Sequence, residues 1–473
     1  MTARDRLIAG IVLFALASAA TAAPLHRYLV RVDDSLERLA LSACFDGPAP
    51  GKLVAGSEAA FLYLEVMEVR GLPSAAIAVE RRAALLPSLP PDACIDYTVR
   101  LKPARVGAQT GGPETRRIGR DLLTSFADWL WRPETFASGE DLEIRFELPE
   151  GMAVSAPWQP VHGRQVPTFR VGESPATWPG VVAFGGFEPI RIRVGTAWID
   201  LVILDGPPPE QRAFIQRWIT GAAFGVATGF GAFPVPRLQV VVAPTPRGRA
   251  PVPWAYVGRG GGPAVHFFIN TTRDQADFER DWTATHEMTH LFLPYLEAGD
   301  VWFYEGLTTY LQNILMARAG TIDVDEAWRR LHAGFERGSR TAPGLSIVAA
   351  TERLGRAGTY VRVYWGGAAT FLAADLRLRE TGAGSLDDAL AELSRCCDDD
   401  SRRWSADELI AVLDRATGTT VFSDVARETL DRPEFPDTAA MFDQLGVQVV
   451  GDRVTYDDEA PLAAIREAIM APR

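Results

Sequence analysis

The stretch that decides the fold reads His286-Glu287-Met288-Thr289-His290, and Glu305 follows it within the sequence Trp-Phe-Tyr-Glu-Gly at positions 302–306. Residues four positions apart lie on one face of a helix, about 6 Å apart along its axis, so the imidazoles of His286 and His290 can bind one zinc ion. Glu287 can reach a water molecule on the metal, which suits it to the role of general base. A catalytic zinc site needs a third protein ligand and an open fourth position, and Glu305 is the predicted third ligand.

The sequence around both segments has the helical pattern that the motif requires. The chain contains only six histidines, so a chance H-E-x-x-H is expected in about one chain in a few hundred of this length. The alternative is a surface helix with the same pattern and no metal, but apolar residues recur at helical spacing in both segments. They are Phe278, Trp282, Met288, Leu291 and Phe292 around the first segment, and Leu307, Tyr310, Leu311 and Ile314 around the second.

Composition and charge limit the class of protein. A length of 473 residues suggests about two to four domains. A hydrophobic content of 47% with 23% charged residues is typical of a globular protein that can bury large cores. The net charge of −12 argues against a nucleic-acid-binding surface, because such a surface needs a basic patch.

The first 22 residues read as a signal peptide. Arg4 and Arg6 precede an apolar run at residues 7–20, and a small-x-small cleavage pattern ends at Ala22. The alternative is an uncleaved membrane anchor, but the run is short for a membrane-spanning helix of about 20 residues. We therefore expect an exported protein, periplasmic or extracellular, that keeps no stable membrane anchor after cleavage.

Four cysteines fit an oxidising compartment. Cys44 and Cys94 lie in the same N-terminal region and could pair, whereas Cys396 and Cys397 are adjacent. The adjacent pair could be reduced, bridge each other, or pair elsewhere, and spacing alone leaves the connectivity open.

The chain after the signal peptide divides into a β-rich part and a mostly helical part. Residues 23–205 alternate apolar and polar positions between turn residues, which predicts a sandwich-like β domain, with one helix-like insertion near 121–130. Residues 206–473 form the second predicted domain. Its first part, 206–273, is α/β and its remainder, 274–473, is helical.

The α/β part contains a glycine-dense stretch. After a proline-rich linker at 206–209 we expect a helix at about 210–228 and strands at 238–242 and 264–269. Glycines let a backbone approach a ligand closely, so Gly260, Gly261 and Gly262 are candidate substrate-binding residues. The alternative is a flexible hairpin turn. The strand at 265–269 is predicted to be a sheet edge that pairs with an extended peptide.

The helical part carries regular helix signals. Asp323, Ser385 and Ser405 each precede an acidic residue by three positions, which is typical of helix N-caps. The segment after Phe435 reads as irregular and closes with a short helix at Ala463–Met470. Before Phe435, helices are expected at 302–319, 324–338, 358–380, 385–395 and 405–416.

With these residues the sequence resembles the gluzincin metallopeptidases. The flanking sequence is similar to that of the glycyl aminopeptidase family, and more distantly to that of the aminopeptidase N family, over roughly residues 206–430. The similar segments are Trp302–Tyr310 around the glutamate, Ala317–Gly320 after it, Tyr364–Ala368, and Ala374–Arg379.

The resemblance implies a thermolysin-like catalytic domain, one zinc ion per chain, and peptide or unfolded-protein substrates. It assigns the oxyanion-stabilising hydroxyl to Tyr364, with Tyr360 and Tyr310 as competitors. Aminopeptidase N relatives bind the free amine of the substrate with an acid that has no counterpart at 260–264 here, so exopeptidase and endopeptidase modes both stay open, as does the oligomeric state. The alternative function is a catalytically inactive binding or regulatory protein, against which an intact Glu287 argues.

Overall fold

A computed structural model of the chain describes residues 24–472, apart from residue 81 and residues 103–114, 135–140, 172–179, 246–247, 355–357 and 398–401. The predicted signal peptide, residues 1–22, therefore lies outside the described residues. Strands dominate up to residue 203 and helices dominate after residue 274. The coarse prediction of several sheets followed by many helices is confirmed.

The N-terminal region is built mainly from three sheets within the described residues. A sheet of eight strands has the order β14-β15-β12-β1-β2-β8-β4-β5, and two sheets of four have the orders β13-β16-β10-β9 and β11-β3-β7-β6. Their apolar side chains share one core, in which Trp129, Trp131 and Trp158 are fully buried. In chain order the elements are β1 (Leu25–Val32), β2 (Arg38–Cys44), β3 (Lys52–Ala55), α1 (Glu58–Tyr63), β4 (Leu64–Val69), β5 (Leu72–Ala76), β6 (Ala78–Glu80), β7 (Ala83–Leu85), β8 (Cys94–Arg100), β9 (Arg116–Ile118), β10 (Asp121–Ser125), β11 (Trp131–Pro133), β12 (Asp141–Glu147), β13 (Ala153–Ser155), β14 (Gln159–Pro160), β15 (Thr168–Arg170) and β16 (Val181–Gly185).

The predicted helix-like insertion near residues 121–130 is wrong. Strand β10 lies between β16 and β9 in its sheet, and only Phe126–Asp128 forms a short 3-10 turn. All five residues of β10 are buried, because one face contacts the N-terminal core and the other faces the next sheet. A short apolar run of this kind cannot be distinguished from a buried helix by periodicity.

A five-stranded sheet supports the second half of the chain. Its strands are β17 (Ile190–Val194), β18 (Ala197–Ile203), β19 (Arg237–Thr245), β20 (Trp254–Gly258) and β21 (Ala264–Asn270), in the order β17-β18-β19-β21-β20. Strands β18, β19 and β21 are parallel, and helix α2 (Pro209–Phe230) connects the first two. Two of the five strands precede residue 206, so the predicted domain boundary passes through this unit.

The strand that was predicted to be a sheet edge is an interior strand. Strand β21 pairs with β19 on one side and with β20 on the other, and all seven of its residues are buried. An almost continuous apolar run is typical of a strand that is covered on both faces. The edge strands are β17 and β20, so the predicted pairing of β21 with a peptide is wrong. His266 of β21 is buried and stacks on Tyr256 of β20, with ring centroids 4.7 Å apart.

The five helices predicted between residues 302 and 416 are confirmed, whereas the helices at Ile347–Glu352 and Val421–Thr429 were not predicted. The side chains of Asp323, Ser385 and Ser405 accept the expected backbone hydrogen bonds as N-caps. The irregular segment predicted after Phe435 is wrong, because it contains a helix and a β-hairpin before the final helix. The elements are α3 (Gln275–Glu279), α4 (Thr283–Thr289), α5 (Val301–Arg318), α6 (Val324–Arg340), α7 (Ile347–Glu352), α8 (Tyr360–Glu380), α9 (Leu386–Cys396), α10 (Ala406–Thr417), α11 (Val421–Thr429), α12 (Thr438–Leu445), β22 (Val447–Val450), β23 (Arg453–Tyr456) and α13 (Ala463–Met470).

Both cysteine pairs form disulfides. Cys44 bonds to Cys94 across neighbouring strands β2 and β8, and Cys396 bonds to its neighbour Cys397 at the end of α9.

Within the described ranges, every helix is too short or too polar to span a lipid bilayer.

Candidate metal centre

Helix α4 presents the H-E-x-x-H motif from inside the protein. All seven of its residues are buried, because α4 packs against α2, α5 and β20. The backbone N–H of His290 donates to the carbonyl oxygen of His286. The helical spacing therefore holds across the motif, although the chain tightens into a 3-10 turn at His290–Phe292.

The three predicted ligands converge on one point. Oε2 of Glu305 lies 3.1 Å from Nε2 of His286 and 3.6 Å from Nε2 of His290, and one ligand atom from each residue lies within 4.8 Å of the others. Tetrahedral bonds to zinc of about 2.0–2.2 Å would place neighbouring ligand atoms about 3.3–3.6 Å apart. These side chains therefore fit one zinc ion, and α5 delivers Glu305 as the sequence predicts.

A further side chain fixes His286, and the sequence-based prediction did not contain it. Nδ1 of His286 lies 2.8 Å from Oε1 of Gln312, and both groups are buried. The contact makes Nδ1 the donor and leaves the lone pair of Nε2 for a metal. Gln312 follows Glu305 by two helical turns on the same face of α5, and this spacing is the signal that could have found it.

Burial and mutual charge set the pKa values of the site. Burial alone would raise the pKa of Glu305, but the imidazoles of His290 and His286 lower it well below its usual range. Burial lowers the pKa of His290. For His286, burial also acts to lower the pKa, but the neighbouring Glu305 carboxylate outweighs it and raises the pKa overall.

Glu287 has the environment of a proton-transfer group. Burial raises the pKa of Glu287 to about 7, and the negative charge of Glu305 acts in the same direction against the opposing effect of His286. A carboxyl group with a pKa near neutrality gains and loses a proton readily at physiological pH.

Tyr364 reaches the site because α5 and α8 cross at two glycines. A Cβ atom built on Gly306 would lie 2.5 Å from the Cα of Gly367, and one built on Gly367 would lie 2.2 Å from the carbonyl oxygen of Trp302. This close approach places Tyr364 near enough to Glu305 for the charge of that carboxylate to act on the tyrosine. The glycine that follows the ligand glutamate is therefore required by helix packing.

The two competing tyrosines have other surroundings. Tyr310 is buried and donates to Oδ2 of Asp375 at 3.0 Å. Tyr360 lies one turn before Tyr364 on α8 and is 57% exposed. Burial, followed by the charge of Glu305, raises the pKa of Tyr364 well above its usual range, so its hydroxyl stays protonated at neutral pH.

The glycine loop between β20 and β21 packs against the N-terminal region. A Cβ atom on Gly261 would lie 2.2 Å from the indole of Trp158, and one on Gly262 would lie 2.3 Å from the carbonyl oxygen of Pro157. Both glycines also have positive φ angles. Close backbone packing accounts for the glycines at these two positions, and substrate binding by Gly260, Gly261 and Gly262 stays a prediction.

Known proteins share features with this chain. The family model of the M61 glycyl aminopeptidases matches residues 288–353, and no curated protein matches. Among solved structures, an aminopeptidase N family protein from Idiomarina loihiensis is similar at a TM-score of 0.69 and 15% identity, over 89% of this chain and 78% of that one. A mutant M1 zinc metallopeptidase from Deinococcus radiodurans bound to a Tyr-Ser-Ala substrate is similar at a TM-score of 0.54 and 16% identity, over 88% of this chain and 95% of that one.

The fold and the site resemble those of the gluzincin metallopeptidases. At such low identities the solved structures show the fold alone. The family match begins at Met288 near the end of α4 and runs through α5, which carries Glu305, and through α6 and α7. Together they confirm the predicted resemblance to the gluzincins, and to the glycyl aminopeptidases among them, and the family match confirms the prediction of a peptidase.

Proposed function

We propose that this chain is an exported zinc-dependent peptidase that hydrolyses peptide bonds, with Glu287 as general base and Tyr364 as oxyanion donor. The observation that carries the proposal is the convergence of His286, His290 and Glu305 next to the buried carboxyl group of Glu287. Two imidazoles and a carboxylate, with the fourth position left to water, are a typical donor set for catalytic zinc. The substrates are peptides or unfolded protein chains.

The protein groups would move the proton and stabilise the charge of the reaction. When bound, zinc would polarise the scissile carbonyl and lower the pKa of water. Glu287, with a pKa of about 7, takes a proton from the attacking water and gives it to the leaving amine. The protonated hydroxyl of Tyr364 donates a hydrogen bond to the developing oxyanion, a contact whose loss typically lowers kcat by about 100- to 1,000-fold.

Export is supported by the N-terminal sequence and by the disulfides. Residues 1–22 have the charge, apolar run and cleavage pattern of a signal peptide. The two disulfides, one joining β2 to β8 and one at the end of α9, are typical of the periplasm or the extracellular space.

Metal content and one pair of variants test the proposal. The mature protein should contain about one zinc ion per chain and should cleave peptides in a chelator-sensitive reaction. Glu287→Gln should keep the zinc and lower kcat by at least about 100-fold, because it removes the base and no ligand. Glu297→Gln is the matched control, since Glu297 is an exposed acid seven residues after His290, and it should change neither quantity.

The same assay separates the alternatives. Peptides of matched sequence with free and blocked N-termini distinguish exopeptidase from endopeptidase cleavage. A wild-type protein without zinc, or a Glu287→Gln variant with full activity, would reject the proposal. Zinc-loaded wild type that cleaves no member of a peptide library would favour the catalytically inactive binding protein.

A further inference from the structure

We propose that Arg259 is a positioning residue for the metal ligand His290, and that packing of the glycine loop against the N-terminal region holds the backbone of Arg259 in place. The inference rests on the proposed metal site and adds to it a residue that binds neither metal nor substrate. It connects the N-terminal sheets to the orientation of one imidazole.

Arg259 caps the turn that carries His290. Its Nη2 donates to the carbonyl oxygen of His290 at 3.0 Å and to that of Leu293 at 2.6 Å. Both oxygens lie at the C-terminal end of α4 and its 3-10 turn, where partial negative charge accumulates, and the oxygen of His290 also accepts from the backbone N–H of Leu293 at 3.0 Å. A guanidinium that satisfies both oxygens holds the backbone of this turn, and so it holds the position from which the imidazole projects.

The loop backbone is fixed on both sides of Arg259. On one side, Gly258 ends β20 and pairs with β21. On the other side, the carbonyl oxygen of Gly260 would lie 2.5 Å from a Cβ atom on Gly180, and the next residue, Gly261, lies against the indole described above. The arginine therefore extends from a loop that has little freedom to move.

A second arginine anchors the surface against which the loop packs. Arg237 of β19 donates to the carbonyl oxygens of Ala156, Pro157 and Trp158 at 3.2, 2.8 and 2.6 Å. It also forms an ion pair of 2.7 Å with Asp200, and both side chains are largely buried. A continuous series of contacts thus runs from the five-stranded sheet, through residues 156–158 and the glycine loop, to the metal ligand.

This series of contacts explains the glycines without invoking substrate. A side chain at position 261 would displace the loop from residues 157–158 and would move the guanidinium away from the two carbonyl oxygens. The metal ligands would stay chemically intact, but one imidazole would lose its backbone support. Contacts that orient metal ligands typically change metal affinity by about 10- to 100-fold when they are removed.

The test measures metal binding by the full mature protein. Arg259→Met removes the guanidinium and keeps an apolar stem, and we expect the Kd for zinc to rise at least about 10-fold. The visible absorption spectrum of the Co²⁺-substituted protein should also change, because it reports ligand geometry independently of activity. Arg259→Lys, which keeps the charge without the planar fork, should give an intermediate Kd.

An arginine of similar structural role provides the control. Arg212 donates to the backbone carbonyl oxygens of residues 203, 204 and 207 at 2.7 to 3.2 Å, before helix α2. Arg212→Met should therefore leave the zinc Kd and the Co²⁺ spectrum unchanged, even if it lowers the free energy of unfolding. If Arg259→Met behaves like Arg212→Met, the role of Arg259 is structural only and the inference is overturned.

A double variant tests the part played by the loop. Gly261→Ala should weaken zinc binding. The double variant with Arg259→Met should have a zinc Kd no higher than that of the single variant with the higher Kd, because both changes act through one guanidinium. Additive losses would overturn the role of the loop. A wild type that binds zinc, together with an Arg259→Met variant of equal affinity, refutes this inference and leaves the proposed function intact, whereas a wild type that binds no metal refutes both.

Discussion

Replacing Gly306 by alanine would test whether the crossing of α5 and α8 sets the geometry of the site. The added Cβ atom would lie 2.5 Å from the Cα and 2.6 Å from the carbonyl carbon of Gly367. Carbon atoms in contact normally stay about 3.5–4.0 Å apart, so the two helices must separate by about 1 Å. The clashing atoms belong to the backbone and cannot rotate away, so α8 must move as a unit.

The separation should affect activity more than stability. Overpacking of a core costs about 1–3 kcal/mol, and part of this is offset because alanine is the better helix former by up to about 1 kcal/mol. Glu305 lies on α5 and Tyr364 on α8, so a shift of about 1 Å would separate the proposed oxyanion donor from the proposed metal site. Misplacement of that size can lower the rate by about 100-fold, and we expect kcat/KM to fall by about 10- to 100-fold in a folded protein.

Three measurements on two variants test the predicted effect of Gly306→Ala. Urea unfolding gives the free energy, steady-state hydrolysis gives kcat and KM, and metal analysis shows whether zinc is retained. Gly221→Ala is the control, because a Cβ atom there meets none of the described atoms within 4 Å. It should stabilise α2 by about 0.5–1 kcal/mol without changing kcat/KM. A Gly306→Ala variant with wild-type kcat/KM would refute the reasoning.

Three other changes have definite expected outcomes. Gln312→Leu removes the acceptor for Nδ1 of His286 and should weaken zinc binding by about 10- to 100-fold in a chelator competition; unchanged affinity would contradict the role of this contact. Burial lowers the pKa of His266 to about 3, against about 6.5 in the unfolded chain, so the unfolded state binds more protons between these values and stability rises with pH in that window. His266→Phe should therefore reduce the difference in the free energy of unfolding between pH 5 and pH 7 by about 2 kcal/mol. An unchanged difference in urea unfolding would contradict this prediction. Replacing Cys44 and Cys94 by serine opens a disulfide with a sequence separation of 50 and should lower the free energy of unfolding by about 2–4 kcal/mol, which the same urea titration would show or disprove.

The convergence of His286, His290 and Glu305 and the positions of five helices could be predicted because their signals are local. The spacing of His286 and His290 fixes their shared face within one helical turn, and N-caps such as Asp323 and Ser405 mark helix starts from the neighbouring residues alone. Glu305 could be predicted from its own helical context. Gln312 was missed, although the same helical geometry places it on the ligand face.

The features that sequence did not reveal depend on contacts between distant segments. The edge position of β20 follows from sheet pairing, which periodicity does not encode. The contact between Gly306 and Gly367 joins helices about sixty residues apart. The sequence around either glycine does not indicate which residue it will contact. The sequence likewise assigns no role to Arg259, because its carbonyl partners lie more than thirty residues further along the chain.

The origin of the five-stranded sheet matters for anyone who wishes to produce this protein in pieces. A fragment that begins at residue 206 would lack β17 and β18, and β19 would then present a bare row of amide and carbonyl groups to other molecules. Starting at Ile190 restores the pairing but uncovers the apolar face that Leu123 and Val181 contact in the whole chain. We therefore expect truncated versions to aggregate in the expression host, and soluble preparations to require the whole mature polypeptide.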